Sequence, residues 1–269
     1  MPDMIQSVKT DKFEMPYAKF GEGPKTLLII PGLSLKNVLN SAASVEVSYK
    51  MFKQDYTCYL FDRIKEAPEG YTISQMAEDL AETLQILGIR NADVFGTSQG
   101  GMVAQYMAIS HPELFHKLVL ASSSSRAEPQ QVKCIGGWSI MAREGRAEEL
   151  VDSFIDNCFT EKFVARWRKV LLKMNSGATP EELHRFAIMS AACQGVDTYD
   201  DLGKIKCPVY VIGAENDTVV TGVASKKIAA KLQAENVPCE FFMYKEMSHA
   251  VYDEAPDYKQ RILDFFGRE

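Results

Sequence analysis

The segment Phe95–Gly101 reads FGTSQGG, and its interpretation decides the fold. It places Ser98 between two glycines in the pattern Gly-x-Ser-x-Gly. With glycine and serine each at roughly 7% of residues, this pattern arises by accident in about one chain in ten of this length. The segment is therefore either a reactive serine on a tight turn or a flexible surface loop, and the neighbouring sequence has to distinguish the two.

The sequence around this segment alternates between short apolar runs and helical patterns. Thr26–Ile30 and Tyr56–Phe61 predict buried strands, and Ala92–Gly96 predicts another strand that leads directly into Ser98. A helix is predicted to follow Ser98 and to close before Pro112. Further strands are predicted at 5–8, 13–20 (interrupted by Pro16), 117–121, 207–215 and 240–244, and further helices at 73–88, 222–235 and 255–266. This alternation predicts an α/β fold with a mostly parallel central sheet flanked by helices.

The alternation breaks between residues 126 and 200, which contain several helical patterns and no convincing strand. Both tryptophans of the chain, Trp138 and Trp167, lie in this segment. The sequence therefore predicts one α/β core domain, formed by residues 1–125 and 201–269, with residues 126–200 as a helical insertion.

Composition excludes several classes of protein. The 269 residues carry 36 acidic and 30 basic side chains, a net charge of −6, which is unlike a nucleic-acid-binding protein and disfavours anionic membranes. No apolar run of about 18 residues exists, and charges throughout the first 17 residues argue against a signal peptide, so a cytoplasmic protein is expected. The six cysteines form no C-x-x-C pair and no cluster with histidine, which predicts free thiols, no metal site and no cofactor.

The position of Ser98 between a strand and a helix favours a reactive serine. A side chain on such a turn projects from the carboxyl edge of the sheet, where open α/β sheets bind ligands. Gly96 and Gly100 have a steric reason to be there, because a sharp strand-to-helix turn leaves no room for a β-carbon. The alternative is a serine that only caps the helix.

A serine hydroxyl needs a base to accept its proton. Of the four histidines, only His249 follows a strand of the main sheet and so returns to the carboxyl edge. His111 lies at a helix end, His116 flanks a strand and His184 lies in the insertion. His249 is therefore the predicted base.

The base in turn needs a carboxylate to fix its tautomer. The loop GAENDTVV, residues 213–220, follows the strand before the last and offers both Glu215 and Asp217. Asp217 is preferred because it lies deeper in the loop, although an Asn-Asp pair is also a common turn former.

The order Ser98, Asp217, His249 resembles that of the α/β-hydrolases. The chain is similar over nearly its whole length to capped members of that superfamily, which include small esterases, lactonases and carbon–carbon bond hydrolases. The resemblance implies an α/β-hydrolase fold in which residues 126–200 form a helical lid. It also implies an oxyanion hole made by the backbone N–H groups of Gln99 and Leu33.

Two motifs depart from the pattern of many relatives. Pro31-Gly32 stands where they carry His-Gly, and Asp62-Arg63 lacks the glycines of their Asp-x-Arg-Gly-x-Gly-x-Ser motif. These departures put the shape of the pocket on that side in question, but they leave the predicted reaction unchanged.

The resemblance implies a serine hydrolase that acts on a small-molecule acyl substrate through an acyl-enzyme. The apolar insertion and the lack of an arginine cluster in its sequence favour a neutral ester, thioester or lactone, with Trp138 and Trp167 expected to line the pocket. Carbon–carbon bond hydrolysis on the same three residues is one alternative, and a small-molecule-sensing binding protein with this fold is another. The expected state is a monomer or homodimer, without a nucleic-acid or membrane partner.

Overall fold

An eight-stranded sheet forms the centre of the structure, a computed structural model that describes residues 4–268. Met1–Asp3 and Glu269, which belong to the predicted core ranges, lie outside the described residues. The strands are β1 (Ile5–Lys9), β2 (Glu14–Phe20), β3 (Lys25–Ile30), β4 (Tyr56–Phe61), β5 (Ala92–Thr97), β6 (Phe115–Ala121), β7 (Val209–Ala214) and β8 (Cys239–Tyr244). Their order is β1-β2-β4-β3-β5-β6-β7-β8, with β2 antiparallel to both of its neighbours and all other pairs parallel. The predicted mostly parallel α/β class is confirmed.

Helices cover both faces of this sheet. They are α1 (Ala42–Ser48), α2 (Ile73–Ile86), α3 (Gln99–Ser110), α4 (Pro129–Arg143), α5 (Ala147–Cys158), α6 (Glu161–Asn175), α7 (Pro180–Ala192), α8 (Gly222–Ala234), α9 (Val251–Glu254) and α10 (Tyr258–Gly267). Short 3₁₀ turns occur at Val38–Ser41, Lys50–Phe52, Pro112–Leu114, Cys193–Gly195 and Tyr199–Lys204. Among the described residues, no helix is both long enough and apolar enough to span a membrane.

The central strands read as unbroken apolar runs because both of their faces are buried. In β3, Leu28 and Ile30 pack into the core on the side of α2, α3 and α8, whereas Leu27 and Ile29 pack on the side of α10. The other central strands alternate in the same way. Two apolar layers therefore hold the carboxyl ends of β3, β5, β7 and β8 in fixed positions relative to one another.

The segment between β6 and β7 consists of α4–α7 and short turns. A single antiparallel bridge between Arg126 and Asp197 joins the two ends of this segment. Buried residues such as Ile135 and Leu150 belong to the same apolar cluster as the sheet residues. The helical content agrees with the predicted insertion at 126–200, while its role as a separate lid stays a prediction.

Two details of the sequence prediction are wrong. The predicted final helix, 255–266, begins only at Tyr258, because Ala255 precedes Pro256 and adopts an extended conformation with φ −88° and ψ 118°; the short helix α9, which ends at Glu254, was not predicted. The predicted interruption at Pro16 does not occur either. Pairing between β2 and β4 begins at Tyr17, so the missing N–H of Pro16 falls at the end of that ladder.

Candidate active site

The turn between β5 and α3 holds Ser98 in a strained backbone conformation. Its φ of 53° and ψ of −120° lie in a region that residues with a side chain rarely adopt. Such strain costs about 1–3 kcal/mol and persists only where the surroundings enforce it. The turn directs Ser98 away from the strand at the carboxyl edge of the sheet.

Close backbone packing explains the glycines of this turn. A β-carbon on Gly96 would lie 2.7 Å from the carbonyl oxygen of Gly100, and one on Gly100 would overlap the carbonyl of Ile30. A β-carbon on Gly101 would lie 2.6 Å from Ser123 Oγ. Each distance is shorter than real contacts allow, so the first turn of α3 can seat against β3 and β6 only with glycine at these positions.

A chain of hydrogen bonds joins Ser98, His249 and Asp217. Ser98 Oγ lies 3.0 Å from His249 Nε2, and His249 Nδ1 lies 2.8 Å from Asp217 Oδ2. The side chains of His249 and Asp217 are only 5% and 1% exposed. Because an ionised carboxylate can only accept, Nδ1 carries the proton, and Nε2 is left to accept the hydroxyl proton of Ser98.

The loop after β7 fixes the carboxylate of Asp217. Its Oδ1 accepts the backbone N–H groups of Val219 at 2.8 Å and Val220 at 3.0 Å, which leaves Oδ2 for His249. The alternative acid, Glu215, is exposed on the same loop and makes no hydrogen bond to His249. The structure therefore brings Asp217, and not Glu215, to the base.

The other three histidines lie beside carboxylates elsewhere in the fold. His111 pairs with Glu78, His116 with Asp93, and the exposed His184 lies 3.7 Å from Glu69. His249 is thus the histidine that the fold brings to Ser98.

Two backbone N–H groups flank Ser98. Gln99 is the first residue of α3, so its N–H has no acceptor within the helix. The loop after β3 approaches Ser98 at Gly32, where a β-carbon would lie 3.1 Å from Ser98 Cβ and 3.7 Å from Ser98 Oγ. Leu33 follows directly, and in residues 4–268 its N–H donates to no backbone carbonyl. Within residues 4–268, neither N–H group predicted for an oxyanion hole is therefore used in a hydrogen bond, and their role in such a hole stays a prediction.

Arg63 is a residue near the site whose contacts the sequence analysis did not foresee. Its Nη2 donates to the Pro31 carbonyl at 2.8 Å and to Gln99 Oε1 at 3.2 Å. Burial lowers the pKa of Arg63, and the negative charge of neighbouring Asp62 opposes that shift. Asp62 also lies 3.1 Å from Arg185 of α7. The only sequence signal was the altered Asp62-Arg63 motif.

The end of α5 is hydrogen-bonded to the loops that carry the acid and the base. The Asn157 carbonyl accepts from Thr218 Oγ1 at 3.1 Å and from Ser248 Oγ at 3.3 Å. The Cys158 carbonyl accepts the N–H of Ala250 at 2.7 Å. Both neighbours of His249 in the sequence are thus attached to α5.

The two tryptophans predicted to line the pocket occupy different environments. Trp138 is 2% exposed, packs against Phe154 at a ring separation of 5.0 Å and donates to Ser153 Oγ. Trp167 is 40% exposed and packs against Phe163. Neither hydrogen-bonds to Ser98, His249 or Asp217 within the described part of the chain. Their role in a substrate pocket stays a prediction.

All six cysteines are free thiols. Burial raises the pKa of Cys193, which accepts a 3.3 Å hydrogen bond from Gln99 Nε2, to about 12. Throughout residues 4–268, no three histidine, cysteine, aspartate or glutamate side chains are grouped so that they could hold a metal ion.

A family model and several known proteins match this chain. The family model described as serine aminopeptidase S33 (Hydrolase_4) matches residues 40–256, a range that includes Ser98, Asp217 and His249. Among characterised proteins, 3-oxoadipate enol-lactonase 2 of Acinetobacter baylyi is 26% identical over 216 residues, covering 76% of each chain.

Solved structures show the same fold at low sequence identity. MGS-M2, an α/β hydrolase enzyme from a Medee basin deep-sea metagenome library, superposes with a TM-score of 0.86 at 21% identity and 98% coverage of both chains. The enol-lactonase from Burkholderia xenovorans LB400 gives a TM-score of 0.83 at 19% identity, covering 98% of this chain and 100% of its own. The predicted α/β-hydrolase fold is confirmed. The chain therefore belongs to the Hydrolase_4 family of the α/β-hydrolase superfamily, and it is a hydrolase.

Proposed function

We propose that the chain is a serine hydrolase that cleaves a small, largely apolar ester, thioester or lactone through an acyl-enzyme. One observation carries the proposal: Ser98 on its strained turn lies 3.0 Å from His249 Nε2, and Asp217 holds the opposite nitrogen at 2.8 Å. This arrangement is what activation of a serine hydroxyl requires.

In the first half-reaction, His249 Nε2 accepts the Ser98 proton as Oγ attacks the substrate carbonyl. The carbonyl oxygen becomes negatively charged, and the N–H groups of Gln99 and Leu33 bind it. His249 then donates its proton to the leaving oxygen or sulfur, while Asp217 stabilises the imidazolium that forms in between. The product of this half is an acyl group on Ser98.

In the second half-reaction, water takes the place of the leaving group. His249 Nε2 accepts a proton from this water, whose oxygen attacks the acyl carbonyl at the same oxyanion site. Collapse of the intermediate returns the proton to Ser98 and releases the acid. With a lactone, acid and alcohol belong to one molecule, so the released product is a hydroxy acid.

Two observations support this substrate class. The helices between β6 and β7 carry many apolar and aromatic side chains, such as Phe154 and Phe186, the residue types that line pockets for small apolar ligands. One relative bears the name 3-oxoadipate enol-lactonase 2, which makes lactones the first class to test. We place Trp138 and Trp167 among the residues that shape the acyl end of the pocket.

The test compares Ser98→Ala with Ser110→Ala, an exposed serine at the end of the same helix. Wild type and Ser110→Ala should hydrolyse short p-nitrophenyl esters and react with a fluorophosphonate probe at Ser98. Ser98→Ala should do neither while keeping its circular dichroism spectrum. Labelling that persists in Ser98→Ala would refute the assignment of the nucleophile.

A panel of esters, thioesters, lactones and carbon–carbon bond substrates then identifies the bond that is cleaved. Turnover confined to carbon–carbon substrates would replace the ester proposal with the alternative reaction. Binding of a small molecule without turnover of any substrate would indicate a binding protein instead.

A further inference from the structure

Arg63, part of the altered Asp62-Arg63 motif, hydrogen-bonds to two segments of the candidate active site. We propose that Arg63 is a positioning residue that fixes the N–H groups of Leu33 and Gln99 relative to each other, so that both can bind one oxyanion. This inference rests on the proposed function. A single guanidinium nitrogen, Nη2, connects the loop carrying Leu33 to the turn carrying Gln99.

The two acceptors of Arg63 lie on the two segments that supply the donors. The Pro31 carbonyl belongs to the peptide unit directly before the one that carries the Leu33 N–H, and Gln99 itself supplies the second N–H. The Pro31 carbonyl also lies against the turn, since a β-carbon on Gly100 would meet its oxygen at 2.6 Å. The loop after β3 is therefore confined between Arg63 and the first turn of α3.

The neighbours of Gln99 fix its side-chain orientation. Its Nε2 donates to the Met189 carbonyl at 2.7 Å, while its Oε1 accepts from Arg63. The reversed amide would face NH₂ toward the guanidinium and oxygen toward a carbonyl, which loses both hydrogen bonds. Gln99 and Arg63 are 1% and 5% exposed, so solvent offers no replacement partners.

Charge gives the same residue a second effect on the oxyanion. The neighbouring Asp62 forms its ion pair with Arg185 and accepts only the backbone N–H of Arg63, so within residues 4–268 no carboxylate lies within 4 Å of the Arg63 guanidinium. Arg63 Nε is buried and finds no hydrogen-bond partner among residues 4–268. The positive charge of Arg63 lies in a buried site and is hydrogen-bonded to the side chain of Gln99, whose backbone N–H is the proposed donor, and there it favours an oxyanion over a neutral carbonyl.

The test uses Arg63→Met, with Arg143→Met as its matched control. Arg143 pairs with Glu69 at the surface and is 45% exposed. The readouts are kcat and KM on p-nitrophenyl acetate and the inhibition constant of an aryl trifluoromethyl ketone, which adds to a serine and places an oxyanion in the hole.

Arg63→Met should lower kcat at least about thirtyfold with KM within about threefold, because loss of one whole oxyanion donor costs about 10²–10³ and displacement costs less. The inhibition constant should rise by a similar factor, and Arg143→Met should change neither quantity more than about twofold. A purely structural role would lower the melting temperature and leave kcat per folded molecule unchanged. Arg63→Met with kcat within threefold of wild type overturns the proposal.

Gln99→Met provides an independent measurement, because it removes the acceptor of Arg63 but keeps the backbone N–H. It should lower kcat at least about tenfold, and the Arg63→Met/Gln99→Met protein should fall within about threefold of Arg63→Met, since both changes break one connection. The proposal is overturned if the double variant loses kcat by the product of the two single-variant factors, or if Gln99→Met leaves kcat unchanged. If Arg63→Met does not fold, Gln99→Met decides alone. If the wild-type protein shows no turnover that depends on Ser98, the proposed function is refuted, and the role of Arg63 falls with it. If the wild-type protein is active and the variants are equally active, only the role of Arg63 is refuted.

Discussion

Replacing Asp217 with asparagine should disable the enzyme while barely changing its shape. Asp217 Oδ1 accepts two backbone N–H groups, from Val219 and Val220, so the oxygen of an asparagine must occupy that position. The NH₂ group then takes the place of Oδ2, 2.8 Å from His249 Nδ1. Because NH₂ can only donate, Nδ1 becomes the acceptor and the proton moves to Nε2. A protonated Nε2 cannot accept the proton of Ser98.

The size of the effect follows from this wrong tautomer. The same change in a serine protease lowers kcat by about 10⁴, which is about 5.4 kcal/mol at about 1.36 kcal/mol per tenfold. No second carboxylate contacts His249 among the described residues, so little rescue is expected. We therefore expect Asp217→Asn to lower kcat by about 10³–10⁴. Glu215→Gln should stay within about threefold of wild type, because Glu215 is exposed and not bonded to His249.

The assay is kcat on p-nitrophenyl acetate for both variants, with circular dichroism to verify folding. The comparison is well matched, since each change replaces one carboxylate with its amide on the same loop. Asp217→Asn within tenfold of wild type would contradict the reasoning. If Glu215→Gln lost most of its kcat while Asp217→Asn stayed close to wild type, Glu215 and not Asp217 would be the acid.

Three further predictions concern packing, thiol chemistry and the helical segment. Gly100→Ala should lower the free energy of urea unfolding by more than about 2 kcal/mol, because the new β-carbon would overlap the carbonyl of Ile30. Gly137→Ala, at a helical position where a β-carbon meets no other atom, should raise it by about 0.5–1 kcal/mol. Equal effects of the two would contradict the packing argument. At pH 8, iodoacetamide should modify Cys193 at least about tenfold more slowly in the native than in the urea-unfolded protein, because burial shields the thiol and raises its pKa, and only the thiolate reacts. Mass spectrometry measures the two rates, and equal rates would refute this prediction. Trp167→Ala should change kcat/KM for octanoate relative to acetate p-nitrophenyl esters by at least about fivefold, and an unchanged ratio would remove Trp167 from the pocket.

Local rules made the strand-to-helix turn around Ser98 predictable. The apolar strand, the glycines at fixed spacing and the helix that follows are all close in sequence, and their steric meaning does not depend on the rest of the fold. His249 could be chosen because only one histidine followed a strand of the sheet. The choice between Glu215 and Asp217 was harder, because both lie on one loop. The N–H groups of Val219 and Val220, which decide it, depend on the local turn geometry.

Contacts between distant segments could not be predicted in this way. Arg63 is 32 residues from Pro31 and 36 from Gln99, and no periodicity in the sequence connects them. The Asp62-Arg63 motif lacks the glycines that many relatives carry after it, so the sequence indicated only a pocket wall of different shape. The start of the final helix was placed three residues too early, at Ala255 instead of Tyr258, because the apolar pattern alone does not show the turn at Pro256.

The bonds between the end of α5 and the neighbours of His249 bear on how this enzyme could be re-engineered. A helical segment transplanted from a relative would bring new walls for the substrate, but it would also replace the carbonyls of Asn157 and Cys158. The transplant would then change the substrate specificity and, at the same time, remove hydrogen bonds that fix the position of His249. A chimaera that keeps residues 157–160 and exchanges only what lies on either side would separate the two properties.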